Sequence, residues 1–410
     1  MIITNIGELV GIVPTGQRRK LGAEMSGTGV IRNAWLQVRD GRIAAFGPMS
    51  GLHSRMGTEA ADAEKVIDAE GGMVMPAFCD SHTHVVYAGN RDGEFLDKIN
   101  GLSYEQIAAR GGGILNSSDL LHETPEDELY RQSVARVREM MSKGSTAIEI
   151  KSGYGLNPAD ELKMLRVIKR IKESVPALIR STFLGAHAVG RGYSREAYVQ
   201  AVIDMIPEAA PLSDFIDVFC DEGFFTVEDT ARILKAGAAD GLRGKIHANE
   251  LAVSGGVEVG VSHGALSVDH LERTTPAQIE VLKGSDTMPV MLPGSSFFLG
   301  MPFGAARDFI EAGLGLALAS DYNPGSSPSG DMRFVMALAC IKMHLTPVQA
   351  LNALTLNAAY AMGLEDCTGS ITIGKRADLI LSLPGWNLTR VPYNYQTPFI
   401  RNVFAAGEEI

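Results

Sequence analysis

Two histidines, His82 and His84, stand two residues apart, directly after the apolar run of residues 73–78. Side chains at positions i and i+2 of an extended strand point to the same face. Both imidazoles can therefore reach one ion at the end of a strand, and imidazole binds zinc, iron and nickel alike. Two ordinary histidines beside a turn would give the same spacing, so a metal site requires further ligands elsewhere in the chain.

Short apolar strands and amphipathic helices alternate through the middle of the chain. We predict strands near residues 73–80, 145–151, 179–186, 215–220, 243–248, 266–270, 288–292 and 316–320. Segments between them, such as residues 126–142 and 158–173, have the periodicity of helices. Eight β/α units predict an α/β protein with a closed (β/α)8 TIM-type barrel, whose active site lies at the carboxyl ends of its strands.

The two ends of the chain have a different pattern from its middle. Residues 1–70 and 364–410 consist of short β-like pieces separated by glycine and aspartate turns. The simplest organisation joins these pieces into one domain. We therefore predict a small composite β-sandwich domain built from both termini, beside a barrel of residues 71–363.

Polar residues cluster at the predicted strand ends. Those at the ends of strands one, three, five, six and eight are His82, His84, His187, His247, His270 and Asp321. Because the carboxyl ends of parallel barrel strands share one rim, we expect these side chains to lie together. The remaining histidines lie away from strand ends, and we interpret them as surface or structural residues: His53, His122, His263 and His344.

The rim supplies a complete set of predicted metal ligands, His82, His84, His247 and Asp321. Three neutral nitrogens and one carboxylate leave a position for water, as in catalytic rather than structural metal sites. Water bound to such an ion ionises near neutral pH and becomes a nucleophile. A turn residue or a helix cap is the alternative role for Asp321.

Two further rim residues can handle protons and charge. Glu250 follows His247 by three residues, where a carboxylate can move a proton from the water to a leaving nitrogen. His270 can hydrogen-bond the hydroxide or polarise the attacked carbonyl. An exposed loop glutamate and a core histidine are the simpler alternatives for these two residues.

The end of the fourth strand bears on the number of metal ions. Residues 218–221 read Val-Phe-Cys-Asp, without the lysine that bridged two-metal hydrolases carry at this position of such a barrel. Lys151 closes the second strand instead, where a structural role is sufficient. We therefore predict a single metal ion.

Composition restricts the partners and the compartment. The formal net charge of −11 and the lack of a Lys/Arg cluster argue against nucleic acid and anionic membrane surfaces. No apolar run approaches the roughly 20 residues of a membrane helix. Residues 1–5 lack a signal-peptide pattern, and the four widely spaced cysteines indicate reduced thiols. We predict a cytoplasmic protein that binds neither nucleic acid nor membrane.

Seven separate stretches resemble the amidohydrolase superfamily across almost the full chain. They are residues 80–84 with 87–91, 149–155, 183–187, 247–250, 269–272, 292–296 and 320–327. The His-x-His motif alone marks only the superfamily, whereas its combination with Arg91, the Ser-Gly-Tyr-Gly stretch and the Asp-x-Asn-Pro-Gly-Ser loop is more specific. Within the superfamily the chain looks like the histidine-degradation enzymes that open 4-imidazolone-5-propanoate to N-formimino-L-glutamate.

The resemblance implies a metal-dependent hydrolase in which a metal-bound hydroxide, on zinc or iron, attacks the lactam carbonyl of this small-molecule substrate. Catalysis would rest on Glu250, His270 and Asp321. The implied substrate contacts are Arg91, Tyr154, His187, Glu250, Asn323, Gly325 and Ser326. The family resemblance also implies a homodimer.

Arg91 is the implied residue that selects the substrate, because a guanidinium suits the propanoate carboxylate. The alternative role for Arg91 is an ion pair with Asp92 or Glu94. We interpret the glycine run of residues 111–113 as a flexible lid rather than a phosphate loop, since no Gly-Lys-Ser/Thr follows.

Two other functions share parts of this pattern. A guanine or cytosine deaminase would also carry the His-x-His and His-x-x-Glu elements, but Arg91 and the Ser-Gly-Tyr-Gly stretch argue against it. A non-catalytic metal-binding barrel is the other alternative, and the complete acid/base set argues against that one.

Overall fold

The architecture is a (β/α)8 barrel joined to a second sheet. A computed structural model describes residues 1–52, 65–102, 106 and 112–410. Its strands form two sheets of eight strands each, one parallel and one mixed. His53 and Gly111, which figure in the sequence predictions, lie outside the described residues.

The parallel sheet curls into the barrel. In chain order its strands are Phe78–Asp80, Ser145–Lys151, Leu178–Ala186, Phe215–Cys220, Arg243–Ala248, Ser267–His270, Met288–Met291 and Ala317–Leu318. Consecutive strands are neighbours, and the ring is completed where Thr83 forms a parallel bridge with Tyr322. The Asp321 N–H also donates to the His82 carbonyl at 3.0 Å. The predicted fold class is confirmed.

Helices connect the strands and cover the barrel. They are Asp92–Ile99, Ile114–Glu123, Glu126–Ser142, Pro158–Ser174, Arg195–Ala209, Val227–Ala239, Gly256–Ser262, Pro276–Leu282, Pro293–Leu299, Ala306–Glu311, Met332–Lys342, Pro347–Leu354, Leu356–Tyr360 and Arg390–Tyr393. Short 3-10 turns occur at Gly22–Ser26, Met49–Gly51 and Ala210–Leu212.

The helix Pro158–Ser174 shows how local sequence specifies these elements. The Asn157 side chain caps it by accepting the Asp160 N–H at 3.0 Å, and proline occupies its first position. Met164, Ile168 and Ile171 follow at helical spacing and are fully buried against the barrel core.

The second sheet is assembled from both ends of the chain. Its strands, in spatial order, are Glu408–Glu409, Ile400–Ala405, Leu379–Pro384, Gly72–Pro76, Ile2–Ile12, Gly29–Arg39 and Arg42–Pro48, with Val66–Asp68 pairing to Ile2–Ile12. It has its own apolar core, which contains Ile3, Leu36, Leu379 and Phe404. A small β domain built from both termini is thus present.

One predicted strand proves to be two. We predicted a single strand near residues 73–80. Instead, Gly72–Pro76 pairs with Leu379–Pro384 in the second sheet, and only Phe78–Asp80 enters the barrel. Ala77 donates to the Asp378 carbonyl of the small domain, and Phe78 donates to the Gly144 carbonyl of the barrel. The chain therefore changes sheets after Pro76, whose ring nitrogen has no hydrogen to donate. The division at residues 70/71 and 363/364 stays a prediction.

Among the described residues, no helix combines the length and the apolar composition needed to cross a membrane.

Candidate active site

Four side chains converge at the carboxyl ends of the barrel strands. His84 Nε2 lies 3.2 Å from His82 Nε2 and 3.4 Å from His247 Nε2. Asp321 Oδ1 lies 3.6 Å from His82 Nε2 and 3.5 Å from His84 Nε2. All four side chains are almost completely buried. The structure thus brings together the four predicted ligands.

The spacing of these atoms fits a metal ion. A tetrahedral ion with ligand bonds of about 2.0–2.1 Å holds its ligand atoms about 3.3–3.4 Å apart. The chemistry fits as well, because burial lowers the pKa of His82 and His84 well below the usual range and that of His247 to about 3. Unprotonated ring nitrogens that face one another repel unless a cation lies among them.

Two buried carboxylates fix the orientation of these rings. His82 Nδ1 lies 2.6 Å from Asp269 Oδ2, and His247 Nδ1 lies 3.0 Å from Asp217 Oδ2. A carboxylate can only accept, so His82 Nδ1 carries the hydrogen that it donates to Asp269, and His82 Nε2 presents its lone pair to the cluster. The Asp217 carboxylate, close to His247 Nδ1, favours the same tautomer there. This carboxylate–histidine arrangement is typical of metal sites.

A buried ionic network lies behind the carboxylates. Lys151 Nζ lies 2.7 Å from Asp217, 2.7 Å from Glu149 and 3.6 Å from Asp269. Lys245 bonds the other oxygen of Glu149. All five side chains are fully buried, and the three carboxylates raise the pKa of Lys151 against the effect of its burial. Lys151 therefore offsets part of the negative charge of Asp217 and Asp269, the two carboxylates that contact the clustered histidines.

Glu250 and His270 lie together beside the ligand cluster. His270 Nε2 is 3.7 Å from Glu250 Oε2, and His270 Nδ1 is 3.6 Å from Glu272 Oε2. Burial acts to lower the pKa of His270, but the carboxylates of Glu250 and Glu272 outweigh it and raise that pKa. Burial raises the pKa of Glu250 to about 7, which suits a group that exchanges protons near neutrality.

Backbone strain is concentrated at the same strand ends. Asn249, His270, Leu271 and Asp321 have φ values of 57°, 85°, 70° and 52°, in the left-handed region that disfavours side chains. Such conformations occur where a functional side chain must be aimed. Asp321 is also held by a hydrogen bond from the Ser295 hydroxyl.

A cavity of about 760 Å³ opens directly above the cluster. The predicted substrate contacts all line it, namely Arg91, Tyr154, His187, Glu250, Asn323, Gly325 and Ser326. Apolar side chains also line the wall, among them Phe95, Phe298 and Met301.

The Arg91 guanidinium forms an ion pair with a neighbouring glutamate. Its Nε donates to Glu94 Oε2 at 2.8 Å, and its Nη2 donates to the same oxygen. The ion pair considered as its alternative role is therefore present, and Glu94 occupies one edge of the guanidinium. Nη1 remains against Gly325, where an added Cβ would lie 2.4 Å away. The edge that carries Nη1 is the one available to a substrate.

His187 and Tyr154 form the wall beside His84. The His187 ring stacks on His84 at 5.1 Å between centroids, and the Tyr154 ring meets His187 edge-on at 5.5 Å. His187 Nδ1 is 2.9 Å from the Gly153 carbonyl, so Nδ1 is the protonated nitrogen. Burial lowers the pKa of His187 to about 4. His187 thus offers a neutral Nε2 acceptor.

Asn323 organises the loop that follows Asp321. Its Oδ1 accepts the N–H groups of Gly325 and Ser326, both at 2.8 Å. Its Nδ2 donates to the Asp321 carbonyl and to the Ser326 hydroxyl, both at 2.7 Å. The Asn323 side chain therefore shapes this loop, and the loop lines the cavity.

The sequence interpretation missed the residues behind the ligands. Asp217, Asp269, Glu149 and Lys245 were not singled out, and Lys151 was assigned no more than a structural role. A signal was available, because charged residues inside otherwise apolar barrel strands require partners. Of the other histidines, His122, His263 and His344 lie away from the cluster and are at least partly exposed, as we predicted.

The chain is similar to known proteins over its whole length. The amidohydrolase family model matches residues 226–408. The chain is 50% identical to the imidazolonepropionase of Flavobacterium johnsoniae, covering 100% of this chain and 99% of that protein. It is 49% identical to the imidazolonepropionase of Christiangramia forsetii, covering 100% of both.

A solved structure shares the fold at low identity. The zinc-bound adenosine deaminase of Xanthomonas campestris superposes with a TM-score of 0.72 and 17% identity, covering 100% of this chain and 92% of that one. This likeness concerns the fold alone. The full-length identity to the two bacterial relatives decides the family, and the chain belongs to the imidazolonepropionase family of amidohydrolases.

Proposed function

We propose that this protein hydrolyses the lactam C–N bond of 4-imidazolone-5-propanoate and releases N-formimino-L-glutamate. Water supplies the hydroxyl group for the new C–O bond at the lactam carbonyl, and the departing ring nitrogen takes up the proton. The observation that carries the proposal is that three imidazoles and one carboxylate converge at the base of the cavity that the Arg91 guanidinium lines.

The cluster would hold one zinc or iron ion on His82, His84, His247 and Asp321. When bound, such an ion lowers the pKa of water and polarises a carbonyl, and so supplies the nucleophile for hydrolysis. Asp217 and Asp269 keep His247 and His82 in the tautomer that presents Nε2.

Glu250 is the proposed proton carrier. Its carboxyl group lies 3.7 Å from His270, and its pKa of about 7 allows both uptake and release of a proton at neutral pH. It would take a proton from the nucleophile and deliver it to the ring nitrogen as the C–N bond breaks. His270, which lies between Glu250 and Glu272, would stabilise negative charge on the attacked carbonyl oxygen.

The rest of the cavity would orient the substrate. The Nη1 edge of Arg91 would bind the propanoate carboxylate next to Gly325, and the loop of Asn323 and Ser326 would close that side. His187 Nε2 would accept a hydrogen bond from a ring N–H, with Tyr154 beside it. These contacts select a heterocycle that carries an anionic side chain.

The substitution Glu250→Gln tests the proton-carrier role. We expect kcat to fall by about 100-fold or more with KM little changed, because proton transfer by a positioned group contributes about 10²–10⁴ in rate. The exposed Glu222, substituted by Gln, is the matched control and should retain wild-type kinetics. A Glu250→Gln enzyme with wild-type kcat would remove Glu250 from the mechanism.

We also propose a homodimer located in the cytoplasm. The sequence resemblance implies the dimer, and the four cysteines, which form no disulfide in the structure, suit a reducing compartment. Light scattering of the purified chain gives the mass directly, and a monomer at micromolar concentration would refute the dimer.

A further inference from the structure

One buried carboxylate outside the ligand cluster has no role in the mechanism above. Glu161 lies in the first turn of the helix Pro158–Ser174 and is fully buried. Its Oε1 accepts the N–H groups of Gly155 at 2.7 Å and Leu156 at 3.0 Å. Its Oε2 accepts the N–H group of Gly153 at 3.0 Å. The carboxylate therefore holds the backbone on both sides of Tyr154.

The loop approaches Glu161 too closely for most side chains. A Cβ at position 155 would lie 2.3 Å from the Glu161 backbone nitrogen, so only glycine fits there. Gly153 has a φ of 113°, and Leu156 has a left-handed φ of 54°. Hydrogen bonds to Glu161 hold Gly153 and the strained Leu156 at their backbone nitrogens.

The same loop sets the protonation pattern of His187. The Gly153 N–H donates to Glu161, and the Gly153 carbonyl accepts from His187 Nδ1 at 2.9 Å. One peptide segment thus connects Glu161 to His187. If Gly153 moved, the Nδ1 hydrogen would lose its acceptor, and the ring could present N–H instead of a lone pair to the cavity.

We propose that Glu161 is a positioning residue for the substrate: it fixes Tyr154 by holding the backbone on either side and fixes the His187 tautomer through Gly153. The inference rests on the proposed function for its effect on KM, but not for its effect on His187. Glu161 itself does not touch the cavity, so its influence passes through the loop.

The test is the substitution Glu161→Gln. A carboxamide oxygen can still accept from Gly155 and Leu156, but its NH2 group then faces the N–H of Gly153, and two donors meet. Burial raises the pKa of the Glu161 carboxyl to about 7, so the comparison is made at pH 8, where the carboxyl is ionised. Glu173→Gln, on an exposed position of the same helix, is the matched control.

Two readouts separate positioning from general damage. We expect Glu161→Gln to raise KM about tenfold, the equivalent of one lost buried hydrogen bond, with a smaller change in kcat. Nitrogen-15 spectra of zinc-loaded, histidine-labelled protein without substrate should show an unprotonated Nε2 at His187 in the wild type. That signal should shift in Glu161→Gln, and the His187→Gln spectrum assigns it. Glu173→Gln should change neither readout.

Wild-type KM and an unchanged His187 signal in folded Glu161→Gln would overturn the proposal, as would a loss of kcat with KM unchanged. A raised KM with an unchanged His187 signal would overturn the claim that Glu161 fixes the His187 tautomer. Should Glu161→Gln not fold, Glu161→Asp, which retracts the carboxylate by one methylene, is expected to raise KM and shift the signal in the same way. If the wild type fails to hydrolyse imidazolonepropanoate, the proposed function is wrong, while the His187 spectra still decide the role of Glu161.

Discussion

His82 Nδ1 and Asp269 Oδ2 lie 2.6 Å apart, and both side chains are fully buried. This contact fixes the His82 tautomer, so that Nε2 faces His84 and Asp321. The preference of the cluster for a cation thus originates one layer behind the ligands, in a carboxylate that bonds to His82.

Substitution of Asp269 by Asn should weaken metal binding. The carboxamide carries no charge and can present its NH2 group to His82, so the basicity of the ring falls. We expect the zinc dissociation constant to rise about 10–100-fold, the usual effect of removing such a partner. Competition with a chelating indicator measures it, and Asp286→Asn at the exposed surface is the control. An unchanged dissociation constant would contradict the role of Asp269.

Lys151 should be important for stability. It forms ion pairs with Glu149, Asp217 and Asp269 inside the barrel, and Lys151→Met would leave these carboxylates with Lys245 alone. Breaking such a buried set costs about 3–5 kcal/mol. Denaturant unfolding followed by circular dichroism measures the loss, with the partly exposed Lys143→Met as control. A loss below about 1 kcal/mol, the range of surface pairs, would count against this network.

Asp221 should control the position of Glu250. Its carboxylate accepts the N–H groups of Glu250 at 2.8 Å and Leu251 at 2.9 Å, and also bonds Ala252 and Ser254. We expect Asp221→Ala to lower kcat about 10–100-fold with KM and bound metal little changed, because misplacing a catalytic group affects the transition state most. Steady-state kinetics with elemental analysis measures this. Ser254→Ala, which removes one of the bonds, should have a smaller effect. Equal effects of both substitutions would exclude Asp221 as the main anchor.

The barrel and the convergence of His82, His84, His247 and Asp321 at its rim could be predicted from sequence because both follow local rules. Apolar runs such as residues 215–220 and 243–248 mark buried strands, and residues just after them fall on one rim. The change of sheet after Pro76 could not be predicted, because the periodicity of residues in a strand does not show which other strand it pairs with. The roles of Asp221 and Glu161 could not be predicted from the sequence either. They depend on hydrogen bonds to groups far along the chain or to backbone atoms, which residue type alone does not reveal.

Arg91 should govern substrate affinity. Glu94 holds one edge of its guanidinium and leaves Nη1 against Gly325, so a carboxylate must bind at that end. We expect Arg91→Ala to raise KM about 10–100-fold, the cost of one or two charged hydrogen bonds. Arg91→Lys should restore little of the lost substrate affinity. A lysine ammonium lacks the planar guanidinium that can bind Glu94 along one edge and the substrate along another. Unchanged kcat/KM in Arg91→Ala would place the carboxylate pocket elsewhere.

The central claim is tested most directly by measuring metal content and the ultraviolet loss of imidazolonepropanoate on the same purified protein. We predict one zinc or iron ion per chain, with hydrolysis that disappears on chelation and returns when the ion is restored. Metal-loaded protein that leaves imidazolonepropanoate intact, yet releases ammonia from guanine or cytosine, would contradict it.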